Sequence, residues 1–348
     1  MPRKTILERI RSRLSWAFAN HCRPRLLRAA SRSAGLSRLY YLLFSSAFRQ
    51  EQHAVVSGMA EYFRNISSSA SSNYLLRRNI HRLEKGMIMR PRRDIYALSY
   101  IRETVDAFCR ACSGGETEEL LWAASVLGAY FDCAKPHPLL DDLKTRFHSV
   151  QPKMPDACTP SKMPSASAQV SYADLLSLMR SRKSVRWFRQ LPVPRDILDQ
   201  AVAAAALAPS SCNRQPFEFR LIDDPVLVRK VAASPMGTEG FSENIPVIAV
   251  VIGHLQAFFS ERDRHLIYID SSLAAMSFIL ALEALGVSTC CINWPDMAER
   301  KENLGAILRL KPCERPVMLI AAGYRDESGL VAWSQRKPVE ELRAYNLP

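Results

Sequence analysis

The chain has 348 residues, 48% of them hydrophobic, and a formal net charge of +13. This length and composition suit a soluble protein with one large or two ordinary domains. The nine scattered cysteines fit reduced thiols in the cytoplasm rather than a disulfide framework. The apolar run that we find nearest to a membrane span, Tyr40 to Phe48, falls far short of the roughly 18 to 20 residues required. No apolar stretch typical of a secretion signal follows the N-terminal arginines.

Positive charge is concentrated in residues 1–50, the basic arm. It holds eleven Lys and Arg against one acid, Glu8. Apolar side chains interleave with the arginines, as in ILERIRSRLSWAF. This pattern fits a basic amphipathic helix that lies on anionic lipid or docks on an acidic partner, or else a solvated, partly disordered arm. Because charge alone gives nonspecific affinity, we expect no nucleic-acid partner.

Residues 51–149 are predicted to be helical. Apolar residues recur there every three to four positions, as in helices with one buried face, and Pro91 separates the second helix from the third. At 150–170 the composition changes to prolines and small polar residues, which predicts a linker. The predicted helices cover 53–66, 73–89, 94–112 and 118–134.

Residues 171–348 alternate between helical and strand-like patterns, which predicts an α+β or α/β domain with a sheet flanked by helices. The strand-like runs are apolar throughout, so we expect both faces of the sheet to be covered. The predicted strands are 217–223, 245–253, 287–293 and 316–324, and the predicted helices are 171–182, 195–208, 225–234, 266–285 and 297–308.

The basic segment, Arg182 to Arg186, is the first candidate site. Arg182, Lys183 and Arg186 flank Ser184 within five residues. Like charges this close repel one another, so an ordered site that holds them usually contains an anion, and phosphate suits arginine best. A solvated basic helix end is the alternative.

The polar loop, residues 209–215, is the second candidate. Ser210, Ser211, Asn213 and Gln215 supply hydroxyl and amide groups, which pair well with a neutral polar heteroaromatic ring. A metal would instead require His, Asp, Glu or thiolate ligands. Ordinary turn chemistry after a helix is the alternative. Together with the basic segment, the polar loop indicates a nucleotide-like cofactor whose phosphate lies on the arginines.

After the last predicted strand, Arg336 and Lys337 add two cations, suited to the same phosphate and to the anionic reduced ring of a flavin. With this pair, four motifs in order resemble the FMN-dependent nitroreductase family. They are RKSVRWF, APSSCNRQPF, IDSSLAAMSFILALEALGVSTCCIN, and GYRDE followed by RKPVEEL. Each motif alone is weak, but the ordered set is fairly specific and covers roughly Tyr172 to Tyr345, half of the chain.

This resemblance implies an α+β homodimer with two FMN sites at the subunit interface. It implies that the basic segment contacts the FMN phosphate and ring edge, and that the polar loop is presented to the flavin across the interface. A backbone N–H from Cys291 to Asn293 would meet flavin N5. The implied cofactor-binding residues are Arg182, Lys183, Ser184, Arg186, Pro209, Ser210, Ser211, Asn213, Gln215, Ile292, Asn293, Arg336 and Lys337.

Three positions depart from the family pattern. Lys183 replaces the usual second arginine, which keeps the charge but loses the two-pronged guanidinium. Phe217 stands where tryptophan is common. Asn293 occupies a position that is often glycine, and asparagine tolerates a left-handed backbone better than most residues.

The function implied by the resemblance is a two-step oxidoreductase reaction. NADH or NADPH gives a hydride to FMN and leaves, and a small-molecule acceptor then takes the electrons in the same cleft. The cofactor does the chemistry, so we identify no catalytic acid, base or nucleophile and no metal ligand. The alternative is a non-catalytic adaptor with a flavin fold that acts through the basic arm on a membrane or protein partner. We expect a cytoplasmic protein, free or peripheral to a membrane. The sequence leaves open the acceptor, the choice between NADH and NADPH, and the role of residues 1–150.

Overall fold

We describe residues 22–66, 74–150, 153–155, 158–162 and 169–346 in a computed structural model of the chain. Residues 1–21 of the basic arm and parts of the predicted linker (151–152, 156–157 and 163–168) lie outside the described residues. The chain divides into two compact units. One contains the residues up to His53 together with Asp296–Ala298, and the other contains Ala54–Pro295 and the residues from Glu299 onward.

The described part of the basic arm is helical. Helix α1 (Arg23–Ala30) is followed by helix α2 (Ala34–Leu43) and then by helix α3 (Arg49–Ile66). The Ser33 hydroxyl oxygen caps α2 by accepting a hydrogen bond from the N–H of Leu36 at 3.2 Å. A second hydrogen bond, from the Ser37 hydroxyl to the Ala30 carbonyl at 2.8 Å, joins α2 to α1.

Four helices build a hydrophobic core in the predicted helical region. They are α4 (Tyr74–Met87), α5 (Ile101–Cys112), α6 (Glu118–Cys133) and α7 (Pro138–Ser149). On α4, Leu76, Ile80 and Leu83 repeat every three to four residues and are buried in that core. This spacing places them on one face of the helix, as the sequence predicted.

Two sequence predictions in this region are wrong. Residues 94–100 are a loop rather than the start of a helix, because Ala97 has a φ of 67°, which a right-handed helix does not contain. Helix α7 was missed, although Pro138 at its first turn and the side-chain cap of His137 mark its start. Its buried residues Leu140, Leu143 and Phe147 also follow helical spacing.

The C-terminal half contains a four-stranded antiparallel sheet. Its strands are β1 (Phe217–Ile222), β2 (Val247–His254), β3 (Ser288–Asn293) and β4 (Glu314–Gly323), in the spatial order β1-β2-β4-β3. A register shift between Val251 and Ile252 brings Ile252 opposite Pro316, which has no N–H to give to the ladder. The antiparallel pairing makes the fold α+β, so the α/β alternative is excluded.

Strand β2 is buried along its full length, because both faces of the sheet are covered. Ile248, Val250 and Ile252 contribute to one core cluster, and the intervening Val247, Ala249 and Val251 contribute to another. This two-residue alternation confirms the predicted two-sided cover. The flanking helices are α8 (Tyr172–Ser181), α9 (Arg195–Ala206), α10 (Pro225–Ala232), α11 (Leu266–Ala284), α12 (Ala298–Leu308) and the short α13 (Val339–Leu342).

Helix α11 is the long core helix of this half. Ala274, Phe278 and Leu282 are fully buried in the cluster against the sheet. By length and composition alone, the segment Glu261–Ala284 could cross a membrane. The expectation that Tyr40 to Phe48 is the run nearest to a membrane span is therefore wrong. A buried core helix can have the same length and composition. The contacts of Ala274, Phe278 and Leu282 show that α11 is such a core helix. Gly286, with a φ of 79°, provides the left-handed residue that ends the helix before β3.

The helical region and the sheet belong to the same compact unit. Ala54 and Val55 of α3 share a buried cluster with Leu255 and Phe258, which follow β2. A Cβ atom at Gly58 would lie 2.7 Å from the Cβ of Leu255, so this contact requires glycine. Residues 54–58 of α3 therefore contact the segment that follows β2 directly.

A polar network crosses strands β1, β2 and β4. Arg220 donates hydrogen bonds to Glu218 at 3.0 Å and to Glu314 at 3.0 Å, and His254 lies 3.4 Å from Glu218. Hydrogen bonds from His254 and from Arg220 lower the pKa of Glu218 to about 2. The ionised form of Glu218 is therefore favoured more in the folded chain than in the unfolded chain, so its ionisation stabilises the fold.

Replacement of Glu218 by glutamine tests this network. Because the pKa is lowered on folding, the stabilisation is present above about pH 4.5 and is lost as the pH falls towards 2. The side chain is 43% exposed, so we expect a loss of less than about 1 kcal/mol at neutral pH. Urea unfolding of the wild type, E218Q and the exposed control E302Q across the acid range measures this loss in the free energy of unfolding. A deficit in E218Q that stays constant down to pH 2 would contradict this account.

Candidate functional site

The basic segment runs along the end of the sheet. The N–H of Val185 donates to the Thr289 carbonyl of β3 at 3.0 Å, and the N–H of Arg189 donates to Tyr324 at 2.8 Å. Val185 and Phe188 are buried in the sheet core. The extended backbone therefore fixes the main chain of the basic segment against β3, while the side chains of Lys183 and Arg186 are exposed.

Three side chains of this segment influence one buried thiol, Cys290. Burial raises the pKa of Cys290, whereas the positive charges of Arg186 and Arg182 and a hydrogen bond with Ser184 act in the opposite direction. Arg186 also lies over the ring of Phe241, with 5.8 Å between the guanidinium carbon and the ring centroid. The structure thus brings Arg182, Ser184 and Arg186 together on the Cys290 side of β3.

Lys183 lines a separate cavity of about 400 Å³. Trp187 and Arg325 line it as well, together with part of the segment that follows β4. Arg182, Ser184 and Arg186 are not among its described lining residues. The alternation of an extended backbone accounts for this separation, since neighbouring side chains point to opposite sides.

The outer edge of β3 offers backbone donors. The order of the strands leaves β3 at the edge of the sheet, and the Thr289 carbonyl points outward to Val185. Because N–H groups alternate along a strand, those of Cys291 and Asn293 also face outward, while Ile292 faces β4. Asn293 ends the strand in extended conformation, so the left-handed backbone considered for this position is not used.

The polar loop holds an unusual backbone conformation. Cys212, Asn213 and Gln215 have φ values of 51°, 51° and 50°, in the left-handed region that residues other than glycine seldom adopt. Each such residue costs roughly 1–3 kcal/mol and persists only where surrounding contacts enforce it. Strain of this kind is concentrated at functional sites, which favours a binding role over ordinary turn chemistry.

Contacts from two other parts of the chain hold the loop. The N–H of Ser211 donates to a carboxylate oxygen of Asp270 at the start of α11, at 2.9 Å. From α4, Arg77 donates to the Asn213 carbonyl at 3.0 Å and to the Gln215 side-chain oxygen at 3.1 Å. Burial raises the pKa of Asp270, and the Ser211 N–H opposes that shift by favouring the carboxylate.

Two predicted binding residues already have hydrogen-bond partners within the chain. The Gln215 side-chain nitrogen donates to the Ala206 carbonyl at 3.0 Å, and its oxygen accepts from Arg77. The Ser210 hydroxyl oxygen accepts from the N–H of Gln215 at 3.0 Å. These contacts fix the loop backbone. The side chains of Ser211 and Asn213 make fewer hydrogen bonds within the chain than those of Ser210 and Gln215.

Arg77 is itself fixed by its neighbours. Its guanidinium forms an ion pair with Glu119 at 3.2 Å and lies over the indole of Trp122, 5.5 Å from the ring centroid. The Trp122 N–H donates to Glu84 at 2.9 Å. Sequence reasoning missed Arg77 and gave Asp270 no role at the loop. No local pattern links Arg77 to the loop, whereas Asp270 could have been noticed as an acid in the first half of an otherwise apolar helix.

The other predicted residues lie apart from these groups. Arg336 and Lys337 are exposed in the C-terminal segment, where Lys337 pairs with Glu341 at 3.5 Å. Within the described part of the chain, no hydrogen bond or ion pair joins them to Arg182 or to the polar loop. Pro209 is exposed at the start of the loop. A single chain thus presents the predicted site residues as separate groups.

The Arg77→Ala variant tests how the polar loop is held. The amides of Asn213, Arg214 and Gln215 are hydrogen-bonded within the loop and should exchange with solvent about tenfold faster once Arg77 is removed. Hydrogen exchange with mass spectrometry measures this. The control Arg82→Ala, on the same helix, loses the contact of Arg82 with the Tyr100 ring but should leave loop exchange unchanged. Equal exchange in wild type and R77A would show that Arg77 does not hold the loop.

Comparison with known proteins finds a family match in the sheet half. Residues 179–238 and 229–324 match the model of the Nitroreductase family, and these ranges include the basic segment, the polar loop and all four strands. An iodotyrosine deiodinase from Haliscomenobacter hydrossis is 26% identical over 218 residues, covering 51% of this chain and 94% of that protein. An NADH dehydrogenase from Thermus thermophilus is 27% identical over 206 residues, covering 50% of this chain and 97% of that protein.

Among solved structures, an FMN-dependent nitroreductase from Clostridium difficile R20291 is 22% identical with a TM-score of 0.43, covering 49% of this chain and 99% of that chain. The family match confirms the resemblance that the four sequence motifs predicted. Residues 179–324 of the C-terminal half thus resemble the Nitroreductase family, and a helical region precedes them.

Proposed function

We propose that the chain is a flavin oxidoreductase that binds FMN, takes electrons from NADH or NADPH and passes them to a small-molecule acceptor. The observation that carries the proposal is the pairing of Arg182 and Arg186 beside Ser184. Within the described residues neither arginine forms an ion pair, although both positive charges act on Cys290 of β3. Two such cations are best balanced by a bound dianion such as a phosphate.

The residues present fit FMN. Arg182, Arg186 and the Ser184 hydroxyl supply donors for its phosphate. The outward N–H groups of Cys291 and Asn293 supply donors for the ring edge, and the strained polar loop offers hydroxyl and amide groups. Lys183, Arg336 and Lys337 stay predicted contacts, since in the single chain they lie apart from the Arg182 group. FMN, once bound, would supply two-electron redox chemistry.

The protein's part in such a reaction is binding and orientation. The guanidinium groups of Arg182 and Arg186 would anchor the phosphate, and the edge of β3 would orient the ring through a backbone donor, whose position does not depend on side-chain rotation. Arg77 and Asp270 hold the polar loop in one conformation, so the loop loses less conformational entropy when a cofactor binds. We therefore assign positioning roles to these residues and no acid or base.

The relatives support the electron donor and a range of acceptors. One is named for NADH and another for deiodination of iodotyrosine, so we propose the acceptor as a small molecule without assigning its identity. All nine cysteines are free thiols, which supports a reducing compartment such as the cytoplasm.

A homodimer would bring the separated groups together. Helix α11 buries one face on the sheet but exposes Ile269, Leu273 and Met276, at 48%, 44% and 42% of their surfaces. Their spacing of four and three residues places them on one stripe, which a second copy of α11 could cover. The polar loop contacts the start of the same helix through Asp270. Pairing along α11 would therefore place the loop of one chain near its partner.

An Arg182→Ala variant tests the cofactor assignment. Loss of a charge-assisted contact to phosphate should weaken FMN binding by roughly 10- to 100-fold. Quenching of FMN fluorescence on titration with protein measures the affinity. The control Arg180→Ala removes an exposed arginine from the end of α8 and should bind as the wild type does.

A Lys183→Ala variant tests whether Lys183 contacts the phosphate together with Arg182. Because Lys183 lines the other cavity, its loss should weaken FMN binding less than loss of Arg182. Equal losses would place Lys183 at the phosphate as well. Unchanged affinity in R182A would contradict the assignment of the phosphate site.

A Leu273→Asp variant tests the homodimer. A carboxylate in the centre of the apolar stripe should block close packing of two α11 helices and convert the dimer to a monomer. Light scattering after size-exclusion chromatography measures the mass. Leu207→Asp, at an 86% exposed position outside α11, is the matched control and should keep the wild-type mass. A wild type that is monomeric at all concentrations would refute the dimer.

A further inference from the structure

Residues 22–50, which include α1 and α2, form a strongly basic surface. They contain six arginines and no aspartate or glutamate. All six arginines are exposed, and none forms an ion pair with any described residue. The positive charge of this surface is therefore not balanced within the described chain. The six are Arg23, Arg25, Arg28, Arg32, Arg38 and Arg49.

Large apolar side chains are exposed among these arginines. Leu42 and Leu43, at the end of α2, are 69% and 61% exposed. Aromatic rings cluster beside them, with Tyr40 stacked on Phe44 at 6.1 Å and Tyr41 against Phe48 at 4.6 Å between centroids. Apolar exposure this dense usually marks an interaction site. The exposed set is Leu27, Leu36, Leu39, Tyr41, Leu42, Leu43, Phe44 and Phe48.

We propose that this basic apolar surface binds the anionic face of a lipid bilayer. Arginine side chains would contact phosphate head groups, while the leucine and aromatic side chains enter the boundary between head groups and acyl chains. Aromatic residues favour this depth because their rings are apolar with polar edges or polarisable faces. Helices of 8 and 10 residues are too short to cross a bilayer, so they lie on it.

Other partners match part of this surface. A second copy would bring six arginines against six others, with no acid in residues 22–50 to pair with them. A nucleic acid would neutralise the charge but leave the apolar side chains in water. An acidic protein could pair with the charge, and comparing binding to polyaspartate with binding to vesicles distinguishes this partner from lipid. A bilayer with anionic lipids satisfies charge and apolar surface at once.

The preceding sequence continues the same composition. Arg9, Arg11 and Arg13 are interspersed there with Ile10, Ser12 and Leu14, outside the described part of the chain. This sequence pattern adds positive charge next to the surface and is of the kind found in membrane-surface segments. The inference does not depend on the proposed flavin chemistry, because no residue of the FMN site takes part in it.

Vesicle co-sedimentation of the full-length protein tests the proposal. The probes are vesicles of phosphatidylcholine alone and vesicles in which about one third of the lipid is phosphatidylserine. We expect binding to the anionic vesicles, little to the neutral ones, and weaker binding as salt rises. Reversing two charges, Arg32→Glu with Arg38→Glu, should weaken binding by more than about tenfold.

A second variant isolates the apolar part. Leu42→Ser with Phe44→Ser should weaken binding about tenfold at both low and high salt, since it removes apolar area without changing charge. These positions are exposed, so thermal unfolding should stay as in the wild type. Matched controls elsewhere are Arg102→Glu with Arg229→Glu, and Leu207→Ser with Val226→Ser, all at exposed positions. The controls should bind as the wild type does.

Three outcomes would overturn the proposal. The first is no binding of the wild type to anionic vesicles at low salt. The second is equal loss in the control variants, which would show that the surface has no special part. The third is tight binding to soluble polyaspartate together with no effect of the Leu42 and Phe44 changes on vesicle binding, which would assign the surface to an acidic protein. Flavin content should be the same in every variant, so failure here is distinct from failure of the flavin assignment.

Discussion

Uncompensated positive charge beside β3 is the constraint that organises the site. The positive charges of Arg182 and Arg186 both act on the same buried thiol, Cys290, and two like charges that lie near one group repel each other. Among the described residues no carboxylate pairs with either arginine to relieve that repulsion. The chain instead pairs the backbone of the basic segment with β3 and β4 and buries Val185 and Phe188, so the cations stay in place. Such an arrangement is stable when an anion occupies it, which is why a phosphate-bearing cofactor fits the fold.

The helical region contributes to the same site through one side chain. Arg77 reaches from α4 to the strained polar loop, and its own position depends on Glu119 and Trp122. The match to the Nitroreductase family begins at residue 179, well after this helix. The additional helices therefore stabilise a loop of the family domain, and the cost of left-handed backbone at Asn213 and Gln215 is offset from outside that domain.

The sequence predicted those features that depend on neighbouring residues. The strands of the sheet were visible because β2 and its partners are continuous apolar runs, and the basic segment and polar loop were visible because each is compact in sequence. The side to which Lys183 points was not visible, since it depends on whether the segment is extended or helical. Arg77 lies 136 residues from Asn213, and no local pattern reports a contact across that distance. Ala97 in a left-handed conformation was equally hidden, because alanine usually favours a helix.

The visible absorption spectrum of the purified full-length protein tests the central claim most directly, first as isolated and then after incubation with FMN and anaerobic addition of NADPH or NADH. The account predicts flavin absorption bands that remain with the protein through gel filtration and bleach when the nicotinamide is added. A protein that stays colourless after incubation with FMN would contradict it. In that case the arginines beside β3 would serve another anion, and the family domain would act without flavin chemistry.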